Sequence, residues 1–143
     1  TGTISADECR FGYRESSFQH SEKVILSASF SLHPRDGGLI KADMDDYMSR
    51  RREKQPLEFP SAGSTFRRYP GYFTAKLIDD AGLKGFSIGG AQVSEKHAGF
   101  VINRGNATAA DVLALVDQIK KRIFEINGIN IECEIRYIPY SVN

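Results

Sequence analysis

The sequence has few of the residues from which metal and redox sites are built. Its 143 residues include only two cysteines, Cys9 and Cys133, and neither belongs to a C-x-x-C pair. We therefore expect no metal site, no dithiol chemistry and no disulfide framework. Two unpaired thiols are typical of a protein in a reducing compartment, so the expected location is cytoplasmic.

Long apolar runs and an excess of charge of one sign are also missing. No segment approaches the roughly 20 apolar residues that a membrane-spanning helix needs. The formal net charge is +1, whereas nucleic-acid-binding domains are usually strongly basic. We therefore expect neither a membrane nor a nucleic acid as partner. The run Arg50-Arg51-Arg52 keeps one alternative open, an RNA-interaction domain whose binding would depend on salt.

Phosphate-binding glycine motifs are absent too. Neither G-x-G-x-x-G nor G-x-x-x-x-G-K-[ST] occurs, so a self-contained nucleotide-binding fold is not expected. The chain shows no signal peptide and starts at Thr1 rather than at a methionine. We therefore expect it to be part of a longer protein.

What is present is the composition of a globular protein. Hydrophobic residues make up 41% of the chain and charged residues 26%. Apolar residues alternate with mostly polar ones over residues 24–32, which predicts a half-buried strand. Helices are expected over residues 39–53, ended by Pro56, and over residues 71–80, with Leu77 and Ile78 facing inward.

The second half of the sequence carries the clearest elements. Short strands are expected over 91–93 and 100–102, and a longer one over 130–138. A helix over 108–126 has Thr108 as N-cap, Asp111 as capping-box partner and Gly128 as left-handed stop. Its predicted buried stripe is Val112, Leu115, Val116, Ile119, Ile123 and Ile126. The order of elements predicts an α+β fold, a small mixed or antiparallel sheet packed against helices.

Three groups of residues have the chemistry of a site. The segment Ser61-Ala62-Gly63-Ser64 combines small residues with a hydroxyl, between basic residues on both sides. In a second group, Gly85, Gly89 and Gly90 would let backbone approach a ligand, and Lys84 and His97 would bind an anion. The third is Glu132 and Glu134 on the last predicted strand. Each has a plainer alternative: a surface turn, a surface histidine, or solvated acids.

Several segments, in order, resemble one enzyme family. They are "CRFGYRESSF", "PSAGSTF", "KLIDDAGLKG", "IGGAQVSEKHAGFVIN" and "IECEIRYI". The chain resembles the C-terminal part of UDP-N-acetylenolpyruvoylglucosamine reductases, also called UDP-N-acetylmuramate dehydrogenases. The resemblance implies a flavoenzyme of peptidoglycan precursor synthesis in which NADPH reduces FAD. The flavin hydride then goes to C3 of the enolpyruvyl group of UDP-N-acetylglucosamine enolpyruvate.

The resemblance also implies roles for particular residues. Ser64 matches the serine that protonates C2, and Glu134 matches the glutamate that stabilises the enolate, with Glu132 as the neighbour not chosen. The residues that match substrate-binding positions are Arg51, Lys54, Gly63, Lys84 and His97. Some members carry an amide at the position of His97. The chain resembles the second subclass, which lacks a tyrosine-bearing loop. After the serine some members have Lys-Asn-Pro where this chain has Arg67-Arg68-Tyr69.

The resemblance divides the chain into two expected parts. Residues 1–34 would be trailing strands of an FAD-binding region, and residues 35–143 the substrate-binding domain. Most of the FAD site, and the remaining N-terminal domains as partners, would lie upstream, so the chain by itself is expected to be inactive. A stand-alone sugar-nucleotide-binding module without redox activity is the alternative.

Overall fold

The computed structural model describes residues 1–13, 15–19, 21–69 and 71–139. These residues form two compact units, Thr1–Asp36 and Gly37–Asn143. In the first unit a turn surrounds Cys9, whose backbone N–H donates to Ser5 and whose carbonyl accepts from Ser17. Cys9 is buried there. The assignment of residues 1–34 to an FAD-binding region stays a prediction.

The strand predicted over residues 24–32 is wrong for this structure. These residues belong to no helix or strand, and the side chains of Val24, Leu26, Phe30 and Leu32 are 80%, 78%, 81% and 83% exposed. A strand needs a neighbour to accept its backbone hydrogen bonds. The described residues provide none at this segment, so the alternating pattern forms no strand.

The described residues of the second unit form seven elements. In chain order they are α1 (Gly37–Lys54), β1 (Ser61–Ser64), α2 (Thr74–Asp80), β2 (Ser87–Ile88), β3 (Ala91–Val93), β4 (Phe100–Asn103) and α3 (Ala109–Asn127). The strands form one antiparallel sheet in the order β1-β4-β3-β2. The α+β prediction, with a small antiparallel sheet, is therefore confirmed.

Helix α3 covers the sheet and supplies much of the core. Its N-cap Thr108 and Asp111 form the predicted capping box, and Gly128 ends the helix with φ of 66°. Four of the predicted stripe residues are buried: Leu115, Val116, Ile119 and Ile123. Ile126, in the last turn of α3, is 61% exposed, so the buried stripe ends at Ile123.

Three further predictions differ from the structure. Segment 61–64 is a strand rather than only a loop, and α2 begins at Thr74, three residues later than expected. Residues 130–138 form no regular strand. They keep the predicted alternation from Ile131, which is buried, to Glu134, which is exposed, but only Cys133 pairs, by a single bridge to Phe66.

Helix α1 confirms the helix predicted over 39–53, but it buries no residue. Its apolar side chains are 41–66% exposed; they are Leu39, Ile40, Met44, Tyr47 and Met48. None of the helices in the described part of the chain is both long and apolar enough to cross a bilayer.

Candidate functional site

Ser64 lies at the exposed end of the edge strand β1. The register between β1 and β4 shifts between Ser61 and Ser64, where Gly63 has φ of 81°. Such a backbone suits glycine alone, and the space where a side chain would be is open. The Ser64 hydroxyl donates to the carbonyl of Phe66 over 3.3 Å. This is a long hydrogen bond, so the hydroxyl can turn to a ligand at little cost.

The segment that carries Glu134 runs beside the residues that follow Ser64. The N–H of Glu134 donates to the carbonyl of Thr65 over 2.9 Å, and the N–H of Arg67 donates to the carbonyl of Glu132 over 2.9 Å. Glu134 is exposed. The structure therefore brings the backbones of the two predicted catalytic residues, Ser64 and Glu134, to neighbouring positions.

Glu132 differs from Glu134 in its contacts. Its carboxylate binds the Arg67 guanidinium at 3.2 Å, with both side chains more than half exposed. The Tyr69 hydroxyl is buried and has no hydrogen-bond partner among the described residues. Burial raises the pKa of this phenol, and the nearby Glu132 carboxylate acts in the same direction. Glu132 thus belongs to a cluster with Arg67 and Tyr69.

His97 shapes a turn at the start of β4. Its Nδ1 accepts from the N–H of Gly99 over 3.1 Å, and its ring meets Phe100 edge to face with 4.9 Å between centroids. With Nδ1 engaged by this bond, Nε2 is the ring nitrogen that remains for a further contact. Since Phe100 is the register partner of Ser64, the turn lies near the serine. Whether His97 binds a ligand stays a prediction.

Arg51 and Lys54 lie in the last turn of α1, with Nε of Arg51 donating to Gln55 over 3.1 Å. That end of the helix is tied to the turn before His97 through Lys96. The Lys96 ammonium donates to the carbonyl of Arg52 over 3.3 Å and pairs with Glu58 at 2.8 Å. The hydrogen bond from Lys96 lowers the pKa of Glu58. The last turn of α1, which carries Arg51 and Lys54, is thus held at the same end of the unit as His97.

Lys84 is not brought next to Ser64. It precedes β2, at the opposite edge of the sheet from β1, and three strand spacings correspond to roughly 14 Å. Its ammonium pairs with Asp79 at 2.8 Å. Only an extended ligand could contact both Lys84 and Ser64.

The three glycines of the second group lie against the chain itself. A side chain at Gly85 would meet Glu95, one at Gly89 would meet Asp111, and one at Gly90 would meet the backbone of Gly105 and Ala107. Their small size is therefore explained by packing. The expectation that they leave room for a ligand is wrong for Gly90, where backbone fills the space.

An open groove of about 350 Å³ borders both segments of the site. Its walls come from β1, β4, the first turns of α3 and the last segment: Pro60, Ser61, Ala62, Thr65, Val101, Ile102, Asn103, Val112 and Ile135. The groove joins the strand that carries Ser64 to the segment that carries Glu134.

Comparison with known proteins agrees with this architecture. A family model described as "UDP-N-acetylenolpyruvoylglucosamine reductase, C-terminal domain" matches residues 55–138, more than half of the chain. The chain belongs to this family. The resemblance of the sequence motifs is thereby confirmed, and the matched range contains Ser64 and Glu134.

Individual relatives extend the match over nearly the whole chain. The reductase of Caldanaerobacter subterraneus is 52% identical over 135 residues, covering 94% of this chain and 45% of the relative. That of Geobacillus thermodenitrificans is 48% identical over 136 residues, covering 95% and 45%. The crystal structure of the reductase from Thermus caldophilus matches with a TM-score of 0.63 and 32% identity over 76% of this chain and 38% of that one. The chain thus spans about half the length of these relatives.

Two residues of the site were not found from the sequence. Thr65 and Lys96 make their contacts to partners 36 and 38 residues away. No local spacing indicates such contacts. The local sequence offers only one indication for Thr65, its polar side chain beside Phe66, which is buried.

Proposed function

We propose that this chain is the C-terminal part of a flavoenzyme of peptidoglycan precursor synthesis. The complete enzyme reduces UDP-N-acetylglucosamine enolpyruvate to UDP-N-acetylmuramate with NADPH, through FAD. This chain supplies the substrate site and the proton. We refer to the complete protein below as the full-length reductase.

One observation carries the proposal beyond family membership. Ser64 and Glu134 are 70 positions apart in the sequence. Even so, the backbone N–H of Glu134 donates to the carbonyl of Thr65, the residue that follows Ser64. A hydroxyl and a carboxylate at one exposed position suit a reaction that needs a proton donor and a group facing a developing enolate.

The described residues do not form a cradle for the FAD diphosphate. Its oxygens are usually bound by a glycine-rich loop that opens a helix. Here Gly89 and Gly90 lie in the turn between β2 and β3 and pack against Asp111 and backbone instead. We therefore assign FAD binding to the remainder of the full-length reductase, and the roles below concern only this chain's own residues.

The proton is assigned to Ser64. Reduction of the enolpyruvyl double bond adds a hydride at C3 and a proton at C2. Ser64 gives its hydroxyl proton to C2, and solvent returns a proton to its oxygen. Glu134 faces the enolate as a protonated carboxyl group that donates a hydrogen bond, because a carboxylate at close range would repel the enolate charge.

The negative groups of the substrate are assigned to the basic residues. A carboxylate and a diphosphate favour charge-assisted hydrogen bonds from Arg and Lys. Arg51 and Lys54 are held at the His97 end of the unit, and Lys84 lies at the far edge of the sheet. A sugar nucleotide is extended enough to span these positions. Gly63 lets its uncrowded backbone approach the sugar.

The remainder of the reductase is the proposed partner of this chain. The exposed apolar residues of 24–32 and of α1 are unusual for a surface that faces water, and such patches mark contact sites. The proposed location is cytoplasmic, in keeping with the two free cysteines, Cys9 and Cys133.

Substrate-dependent oxidation of NADPH tests the proposal. Chain 1–143 should be colourless after purification and should not oxidise NADPH. The full-length reductase should be yellow and should oxidise NADPH only with the enolpyruvyl substrate, forming a product that has gained two hydrogens by mass spectrometry. UDP-N-acetylglucosamine, which lacks the double bond, is the control.

Two results would contradict the proposal in different ways. Stoichiometric FAD on chain 1–143 would place the flavin site in this chain. A full-length protein that binds the enolpyruvyl substrate without oxidising NADPH would indicate the alternative, a sugar-nucleotide-binding module.

A further inference from the structure

Thr65 is a buried polar residue between the two proposed catalytic segments. It follows Ser64 directly, and 1% of its surface is exposed. Buried hydroxyl groups persist in a core only where they make hydrogen bonds. The contacts of Thr65 therefore indicate what the hydroxyl does in the fold.

Three hydrogen bonds attach Thr65 to other parts of the chain. Its N–H donates to the carbonyl of Gly99 over 2.8 Å, and its carbonyl accepts from the N–H of Glu134 over 2.9 Å. Its hydroxyl oxygen accepts from the N–H of Val101 over 3.0 Å, in a buried bond. Thr65 thus joins β4 on one side to the Glu134 segment on the other.

The hydroxyl bond lies where the regular pairing of β1 with β4 is broken. The register shifts between Ser61 and Ser64, at the left-handed Gly63. Past this bulge the backbone N–H of Thr65 and the bond from Val101 fasten the chain to β4 again. Valine has nearly the shape of threonine but cannot accept this bond, and Val101 is itself buried.

We propose that Thr65 is a positioning residue for proton transfer by Ser64. This inference rests on the proposed function. The hydroxyl fixes residue 65 against Val101; the fixed backbone then sets both the position of Ser64 and, through the Thr65 carbonyl, that of Glu134. The Thr65 side chain thereby sets the distance between the Ser64 hydroxyl, which donates the proton, and the Glu134 carboxyl group, which faces the enolate.

Kinetics of the full-length reductase with Thr65→Val and Thr65→Ser test the proposal. Flavin reduction by NADPH should stay at the wild-type rate in both variants. Flavin reoxidation by the enolpyruvyl substrate should be slowed about 10- to 100-fold in Thr65→Val, since a small misplacement of reacting groups costs this much. Thr65→Ser keeps the hydroxyl and should restore most of the rate.

Thr74→Val is the matched control. Thr74 is also a buried threonine, 4% exposed, and its hydroxyl donates to the carbonyl of Arg67 over 2.6 Å. It has no contact with Ser64 or Glu134 among the hydrogen bonds of the described residues, so its loss should lower thermal stability without slowing reoxidation selectively. Equal slowing in Thr65→Val and Thr74→Val, or no slowing in Thr65→Val, would overturn the proposal.

Amide hydrogen exchange provides a readout that does not depend on activity. The amides of Val101 and Glu134 should exchange faster in Thr65→Val than in wild type and in Thr74→Val. Unchanged exchange at Glu134 would overturn the positioning role. If Thr65→Val does not fold, Thr65→Ala is measured in its place. A wild-type reductase without substrate-dependent reoxidation would contradict the proposed function, and hydrogen exchange alone would then decide whether Thr65 fixes Glu134.

Discussion

At the scale of single residues, the last segment carries two carboxylates with different surroundings. Glu132 is bound to Arg67, whereas the backbone of Glu134 is bound beside Ser64. We predict that Glu134→Gln in the full-length reductase slows flavin reoxidation by the enolpyruvyl substrate about 10²- to 10⁴-fold, the range typical of a lost acid–base group. Rapid-mixing absorbance should show flavin reduction by NADPH unchanged.

Glu132→Gln is the matched control for this prediction. It removes a carboxylate from the same face, two residues earlier, and weakens an exposed ion pair that contributes little. It should leave both half-reactions close to wild type. If Glu132→Gln is the damaging substitution, the catalytic assignment moves to Glu132.

Gly89 tests whether packing explains the glycines of the turn between β2 and β3. It has φ of 54°, and an added methyl group would displace the Asp111 side chain, which the capping box holds in place. We predict that Gly89→Ala lowers the free energy of unfolding by about 2–4 kcal/mol, as left-handed strain and cap loss combine. Chemical denaturation of chain 1–143 measures it.

Gly82→Ala is the comparison that isolates strain. Gly82 has φ of 67°, and a methyl group there would have open space. Its cost should be about 1–2 kcal/mol, from left-handed strain alone. Equal costs at the two positions would show that the contact with Asp111 has no energetic effect.

Sequence motifs indicated which residues to place in the candidate site, but not which residues hold those segments together. Ser64 and Glu134 stand in recognisable motifs, and the structure places their segments together. Thr65 and Lys96 act through partners more than 30 residues away. Such contacts are set by how the sheet pairs, which the local sequence does not determine.

At the scale of elements, the start of α3 depends on one carboxylate. The pKa of Asp111 is lowered, chiefly by the backbone N–H of Thr108, then by its hydroxyl and by the N–H of Gly90. A lowered folded-state pKa stabilises the protein above the ordinary aspartate value, about 3.9, and this contribution is lost as the pH falls through the folded value. We predict that Asp111→Asn lowers Tm at pH 7, with the difference from wild type shrinking below about pH 4.

Asp117→Asn serves as control on the same helix. Asp117 is exposed and takes no part in the cap. Exposed surface substitutions usually change stability by less than about 0.5 kcal/mol. The measurement is the Tm of wild type, Asp111→Asn and Asp117→Asn between pH 7 and below about pH 4. A difference in Tm between Asp111→Asn and wild type that stays constant over this range would contradict the role of the charge.

Elements with internal signals were predicted well, and those that need a distant partner were not. Helix α3 has its cap, stripe and stop within the sequence itself. Segments 24–32 and 130–138 have the alternation of strands, but in the described structure the first has no partner and the second has only the bridge at Cys133. Alternation indicates which side chains share a face; it does not supply the neighbouring strand.

At the scale of the whole molecule, the hydrophobic core cluster of the described residues lies in the second unit. Its members run from Phe66 to Ile131. We therefore predict that chain 37–143 folds without residues 1–36. Its Tm should lie within about 4 °C of that of chain 1–143. In a domain of this size, such a shift corresponds to a change of at most about 1 kcal/mol in the free energy of unfolding. Circular dichroism melts measure both, and loss of a cooperative transition in chain 37–143 would mean that the first unit is needed for folding.

The central claim is that Ser64 donates the proton in the second half-reaction of the reductase. The measurement that tests it most directly is rapid-mixing absorbance of the full-length enzyme with Ser64→Ala. We predict that flavin reduction by NADPH keeps its rate while reoxidation by the enolpyruvyl substrate slows about 10²- to 10⁴-fold, and that Ser61→Ala, in the same strand, slows neither step. Equal slowing of both half-reactions in Ser64→Ala, or unchanged reoxidation, would contradict the account.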